Sequence, residues 1–497
     1  MRGTSDGSAA RDKRLGAQRV RPTARALAIA AVLTFAQLAG SAPAMAETLR
    51  QAMARAYQAN PRLDAERARL RATDEEVPRA LSGYRPRVTG SADGGVNRVD
   101  SKPDTTSEGE ARPWGYSVTV SQTVFNGFRT GNTVDEAEAQ VRAGREQLRS
   151  VEQQVLLDAV TAFADVVRDR EVARLREANV AVLSREVAAT EARQSAREVT
   201  RTDVAQARSR LARALSQQDL ARGNLKSSRA AFERAVGHAP AGLVPPTPPR
   251  TLLPRSLEEA LATAERESPA VVGALYREAA DRNAVSRIRS ELLPEVRLEA
   301  SYGNRYRQQG GIDEQESASV TGRLSVPLYE GGETYARVRQ AKHRHVARLQ
   351  EIEQARQEAQ ATVTQAWSRY QTTRGQLRAD RMAVDAARVA LEGVREEERA
   401  GQRTVLDLLN AEQELLDAKV EVVVSSREIV VAAHSLLAQV GRLTATEMSL
   451  ADPAYDPDAH YQEVRNRWFG LDVTRADGRR EMFNVAVEGD SEWRIDD

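Results

Sequence analysis

Apolar residues recur at steps of three and four along residues 129–197 and 333–399, with no proline inside either stretch. That spacing predicts two helices, each roughly 100 Å long at about 1.5 Å per residue. Val155, Ala159, Ala162 and Val166 form one stripe, and Leu156, Val160, Phe163 and Val167 form a second beside it. Val384, Ala387, Leu391 and Val394 repeat the step in the later stretch. Two adjacent stripes mean that each helix packs on two neighbours, as in a closed ring rather than a two-stranded rope. Return helices are predicted over about 202–236 and 404–440. Their apolar faces carry Val204, Ala207 and Leu211, and Leu408, Ala411, Leu415, Ala418 and Val422.

Ahead of each long helix the period changes from helical to two. Strands are predicted at about 86–99 and 114–125, and again at about 294–306 and 317–329. Tyr116, Val118, Val120 and Gln122 share one alternation, and Val296, Leu298, Ala300 and Tyr302 share another. Polar loops, 101–113 and 308–317, join each pair. Such strands match the staves of a membrane barrel; two surface hairpins on a soluble protein fit the alternation as well. Residues 48–82 read as one helix with Thr48 as its N-cap.

The elements occur twice. Leu49, Ala52, Ala56 and Pro61 match Leu257, Ala260, Ala264 and Pro269 at an offset of 208, which still holds at Pro86 and Pro294. From SQTVFNG (121–127) against SVPLYEG (325–331) the offset is 204, and it stays there through Asp203/Asp407 and Gly237/Gly441. The length difference therefore falls in one hairpin loop. The expected organisation is a unit over 47–238, a Pro-rich linker over 239–255, a second unit over 256–441 and a tail over 442–497. Within that tail, residues 460–472 read as a short amphipathic helix packed on the outside or as a recognition segment.

Residues 1–46 read as a signal peptide. Arg11 to Arg25 is strongly basic, Ala26–Ala39 is apolar, and Ala44-Met45-Ala46 is a small-x-small cleavage pattern, with Glu47 the expected first mature residue. A membrane-anchor helix is the competing reading, but the run is short for a span of about 20 residues. Lys+Arg is 72 against 71 Asp+Glu, so no basic surplus points to nucleic acid. Cysteine is absent, which removes disulfides, thiolate chemistry and a cysteine-linked lipid anchor. The five His show no metal-ligand spacing. The glycine pairs are not followed by Gly-Lys-Ser/Thr, and no nucleophile elbow or other catalytic constellation is present, so no enzyme and no cofactor are expected. Glu396, Glu397 and Glu398 read as a solvated helix face.

Four strands cannot close a barrel, because single-chain barrels need at least about eight, and open strand edges in lipid are prohibitively costly. If the strands face lipid, the chain must oligomerise around an axis.

The signal peptide, the tandem repeat, the S-x-[TP]-[VL]-[FY]-x-G strand end, the Thr-x-x-Asp helix starts and the terminal Val-Gly together resemble the TolC outer-membrane efflux family over about 48–441. The resemblance implies an α+β membrane protein built from a tandem-duplicated helix–hairpin–long helix–helix unit. It implies a homotrimer forming a twelve-stranded β-barrel in outer-membrane lipid, continued by a periplasmic α-helical barrel. The implied role is the exit duct of a tripartite efflux or type I secretion system. Its partners would be a periplasmic adaptor and an inner-membrane transporter of the resistance-nodulation-division or ABC type. A periplasmic coiled-coil adaptor or scaffold is the alternative; it would lack the second copy of the unit.

By the same resemblance, Gly401 to Ala411 corresponds to the periplasmic constriction. Asp407 matches the first acidic pore position and Asn410 the second, so a ring would carry half the usual charge. The two are three residues apart on one helix face. A solvated helix start capped by Thr404 is the plainer reading of that segment. Arg403 matches the position that bonds the start of the neighbouring return helix, here Thr202 and Asp203, as a gate-closing contact; a weak surface ion pair is the plainer alternative. Ala196 to Arg201, the first helical tip, lacks the usual glycine.

Overall fold

The computed structural model describes residues 46–99, 109–308, 312–451, 453–474 and 480–482; the expected signal peptide and Trp493 lie outside them, as do parts of both hairpin loops. Helices α1 (Leu49–Ala59), α2 (Pro61–Asp74) and α3 (Glu76–Leu81) come first. The single helix expected over 48–82 is therefore three. Asn60 accepts the Arg62 amide and Pro61 supplies no amide of its own, so the chain stops and restarts there.

Strands β1 (Arg87–Gly94), β2 (Asn97–Val99), β3 (Gly109–Ala111) and β4 (Trp114–Asn126) follow, then the long helix α4 (Arg129–Ser195) and its return α5 (Arg201–Val236). The order recurs as α6 (Leu257–Glu267), α7 (Pro269–Arg289), β5 (Glu295–Gln308), β6 (Ile312–Ser325), α8 (Glu333–Arg399) and α9 (Val405–Gln439). Helices α4 and α8 each span 67 residues, about 100 Å of helix. Helix α4 packs on α5, α7 and α9, and α8 packs on α9 and α7. Among the described residues no helix is long and apolar enough to cross a membrane.

Both expected stripes of α4 are buried: Val155, Ala159, Ala162 and Val166, and Leu156, Val160 and Phe163. They meet Met53, Leu63, Phe232, Leu436 and Leu437 in the main core at mid-height. Lower down, Ala387 and Leu391 of α8 pack on Leu408, Ala411 and Leu415 of α9. The tail does not continue the helical pair. Helix α10 (Ala459–Val464) straps back across α2 and α4. There His460 Nδ1 lies 3.0 Å from Asp74 Oδ2, Tyr461 donates to Glu138 (3.2 Å), and Asp458 pairs with Arg145 (2.5 Å). A short hairpin, β7 (Asp472–Thr474) with β8 (Arg480–Met482), ends the described chain.

The large sheet has the order β1-β4-β5-β6 and is antiparallel throughout. Its register sorts the side chains by chemistry. One face carries Val88 opposite Val120, Val118 opposite Tyr302, Ala300 opposite Val320, and Val296 opposite Leu324. The other carries Thr89, Ser91, Ser117, Thr119, Ser301, Ser319 and Thr321, with Ser91–Ser117 and Ser301–Ser319 hydroxyl contacts of 2.9 and 2.8 Å. A bulge between Thr123 and Phe125 returns Phe125 to the apolar face opposite Val296.

Candidate functional site: the bilayer face and the helical tips

Among the described residues no protein layer covers the apolar face of the sheet. Val88, Val118, Leu298, Tyr302, Val320 and Leu324 are all exposed. In water an uncovered β-branched and aromatic face of this size is an aggregation surface; against lipid it is the expected exterior of a barrel. Aromatic residues bracket it. At one end Trp114 stacks on Tyr306 at 4.2 Å, beside Tyr116 and Tyr302. At the other end Phe125 meets Phe128 edge-on at 5.4 Å, near exposed Tyr84. Trp114 and Phe125 are eleven residue steps apart along β4, about 36 Å of strand at ~3.3 Å per residue. At a tilt of about 40° this rises roughly 28 Å, the height of a bilayer's apolar band. The hydroxyl-rich opposite face suits a water-filled lumen. Among the described residues, strands β1 and β6 are left with one unpaired edge each.

The second region of interest is the far end of the helices. Thr200 and Thr404, both extended, cap α5 and α9 with complete capping boxes. Asp407 Oδ2 accepts from the Thr404 amide (3.0 Å) and hydroxyl (2.8 Å), and Asp203 does the same with Thr200 at 2.8 Å in both cases. The capping amide of Thr404, then its hydroxyl, and the nearby Arg403 hold the Asp407 carboxyl below its ordinary range. The folded pKa being depressed, the cap is fully present above the ordinary aspartate value and is lost as pH falls through the lowered one. Amide hydrogen exchange across Val405–Leu408, taken relative to each amide's intrinsic rate at the same pH, should accelerate on acidification in the native chain. In Asp407→Ala it should be fast already at neutral pH, with little further change.

Within the chain, Arg403 does not reach Thr202 or Asp203. Its Nε bonds Glu397 at 2.9 Å, and Thr202 is exposed beside the Thr200–Asp203 box. Asn410, the second constriction position, is held from the first repeat: Arg210 Nη2 donates to its Oδ1 at 2.5 Å. Arg193 at the end of α4 donates to Glu398 at the end of α8 (2.9 Å), and Arg176 lies 3.6 Å from Asp417. Under these bonds Leu409 packs on Leu183 and Ala214. Glu398 is thus an acceptor between the two coils, not part of a solvated face. Arg193 and Arg210 were not evident in the sequence, because their partners lie about 200 residues away. The Glu-rich end of α8 facing an Arg-rich end of α4 was the available signal.

Arg197, at the first tip, has φ of 65°, and its repeat counterpart Gly401 has φ of 75°. A left-handed conformation costs a side chain about 1–2 kcal/mol relative to glycine. Arg197→Gly is expected to stabilise the first tip by about 1 kcal/mol, read as slower exchange of the amides around Thr200.

The family model described as outer membrane efflux protein matches residues 52–238 and 260–442. The chain belongs to that family. It is 36% identical over 448 residues to outer membrane efflux protein BepC of Brucella suis, covering 90% of this chain and 96% of that one. It is 26% identical over 386 residues to outer membrane protein TolC of Vibrio cholerae, covering 76% and 86%. In fold it matches the Campylobacter jejuni CmeC outer membrane channel with a TM-score of 0.72 at 16% identity, covering 84% and 89%. The TolC-type resemblance and the α+β channel fold therefore hold. This outer-membrane efflux channel serves as an exit duct, located in the outer membrane with a periplasmic extension.

Proposed function

We propose that the channel assembles as a homotrimer whose twelve strands close one barrel, and that it works as a passive duct closed at the helical tips. The observation that carries this is the four-stranded sheet with one uncovered apolar face, one hydroxyl-rich face and two open edges. An open edge in lipid leaves backbone groups unsatisfied at several kcal/mol each, so β1 of one copy has to meet β6 of the next. The duct itself performs no chemistry. A periplasmic adaptor and an energised inner-membrane transporter, of the resistance-nodulation-division or ABC type, would supply substrate and work. The drugs or secreted proteins carried by such a duct would cross a lumen lined by hydroxyls and by charged side chains such as Arg297, Glu299 and Arg305. The proposed units are residues 47–238 and 256–441, joined by 239–255, after a signal peptide over 1–46.

Opening is a twist of α8 and α9 away from α4 and α5. Asp407, Asn410 and Arg403 sit at the level where the tips would converge, and Thr202 and Asp203 of a neighbouring copy are the partners proposed for Arg403. The Arg193–Glu398 and Arg210–Asn410 contacts hold the two coils of one chain together in the closed state. The test of assembly is membrane fractionation with unheated gel electrophoresis. Recovery in the outer membrane at three times the monomer mass is expected; a soluble periplasmic monomer would sink the duct.

A further inference from the structure

The strap after α10 ends in four apolar side chains that are largely uncovered by the described residues. Phe469 is 87% exposed, Leu471 72%, Trp468 57% and Val473 53%. Four such residues within six positions are not the scattered apolar exposure of an ordinary surface. Their place in the fold is fixed by Arg85. Its Nη1 donates to the Arg467 carbonyl at 2.7 Å, and its guanidinium lies 4.8 Å from the centre of the Trp468 ring. Arg85 stands two residues before β1, next to Tyr84, whose carbonyl accepts from Gln122 on the apolar face of β4. The strap therefore reaches the lower aromatic girdle, at the edge of the apolar band formed by Tyr84, Phe125 and Phe128.

We propose that residues 467–473 are an interfacial membrane anchor, lying in the headgroup region of the periplasmic leaflet. Trp468, Phe469 and Leu471 would enter the acyl boundary, and Arg85 would face the lipid phosphates. The proposal rests on the bilayer position of the sheet. Three features favour a phospholipid surface over a protein partner. The patch is tied through Arg85, the neighbour of Tyr84, to the end of the sheet's apolar face. Its one acidic group, Asp472, is neutralised by contact with Arg467. A Trp ring stacked under a guanidinium is also suited to a boundary where one side is apolar and the other wet and anionic. The anchor would fix the height of the helical tube against the leaflet through α10, which ties the strap to Asp74, Glu138 and Arg145.

The absence of cysteine from the chain makes the test direct. Single substitutions Phe469→Cys, Leu471→Cys, Val320→Cys and Lys226→Cys are spin-labelled in the full chain reconstituted in phosphatidylethanolamine–phosphatidylglycerol vesicles. Collision with oxygen is then compared with collision with a water-soluble nickel chelate. Labels at 469 and 471 should favour oxygen several-fold more than the label at 226, and less than the label at 320. Nickel-favoured collision at 469 and 471, as at 226, overturns the anchor and leaves the patch in water. Poor access to both reagents overturns it in favour of contact with a second copy. A nickel-favoured label at 320 would instead overturn the bilayer position of the sheet, so the two failures are told apart. All four positions are exposed, and none lies in the core.

Discussion

Replacing Arg193 and Arg210 together by alanine is expected to raise the open fraction of the reconstituted channel by about tenfold. Each arginine makes a charge-assisted bond from the first coil to the second, at 2.9 Å to Glu398 and 2.5 Å to Asn410. The Arg193 side chain is 41% exposed and Glu398 only 12%. Exposed bonds of this kind are worth ~0.2–1 kcal/mol each after screening, and the charge-assisted geometry puts both in the upper part of that range, so the two together hold roughly 1.4 kcal/mol. Single-channel recording in planar bilayers reads the change as longer and more frequent openings. Arg208→Ala is the control. Its bond to Glu191 at 2.7 Å joins α4 to α5 within the first coil, so separating the coils does not break it. If the double variant gates like the native channel, the contacts are incidental and the tips are closed by something else.

The second large effect is expected at the end of α9. Gly441 has φ of +88° and its repeat counterpart Gly237 has +95°. A Cβ on Gly441 would stand 2.2 Å from the Glu267 carbonyl oxygen, whereas around Gly237 the space is open. Both alanine variants carry left-handed strain of about 1–2 kcal/mol, and Gly441→Ala adds overpacking of about 1–3 kcal/mol against backbone that cannot swing aside. The joint is tied on both sides, since Arg149 donates to the Gly441 carbonyl at 2.7 Å and Arg442 grips Glu267 at 2.9 and 3.0 Å. Gly237→Ala should assemble with a modest drop in thermal stability. Gly441→Ala should lose several times as much, measured by the temperature at which the assembled form dissociates on gels. Equal losses would show that the approach to Glu267 relaxes at no cost.

These two sites differ in how far the chain announces them. The Val-Gly pair at 236–237 and 440–441 is visible as a repeat, and a glycine after a helix is the usual sign of a left-handed stop. What distinguishes the copies is the packing of α6 against the joint, and that belongs to tertiary structure. The long helices and their stripes were legible because a heptad-like period persists over 67 residues. The strands were legible because alternation survives from Tyr116 to Gln122; the bulge near Phe125, which breaks that alternation, was not. The break at Asn60-Pro61 was written in the residues and overridden by the helical pattern around it. The coil-to-coil bonds were not legible: Arg193 and Arg210 look like any solvated arginines until the fold brings the second repeat beside them. Asp407 is the opposite case: the Thr-x-x-Asp pattern already marked a capped helix start, and the fold gives Asp407 the reciprocal half of that cap.

The unpaired margins of β1 and β6 set a condition on biogenesis. A lone copy that met lipid would carry two rows of bare amides into a solvent with no water to offer them. A lone copy held in water would display a hydrophobic panel with adhesive borders on either side. Neither state is one in which the molecule can wait. Joining with sister copies and entering the bilayer are thereby coupled thermodynamically, and the dwell time of the single newly exported polypeptide becomes the period of greatest risk.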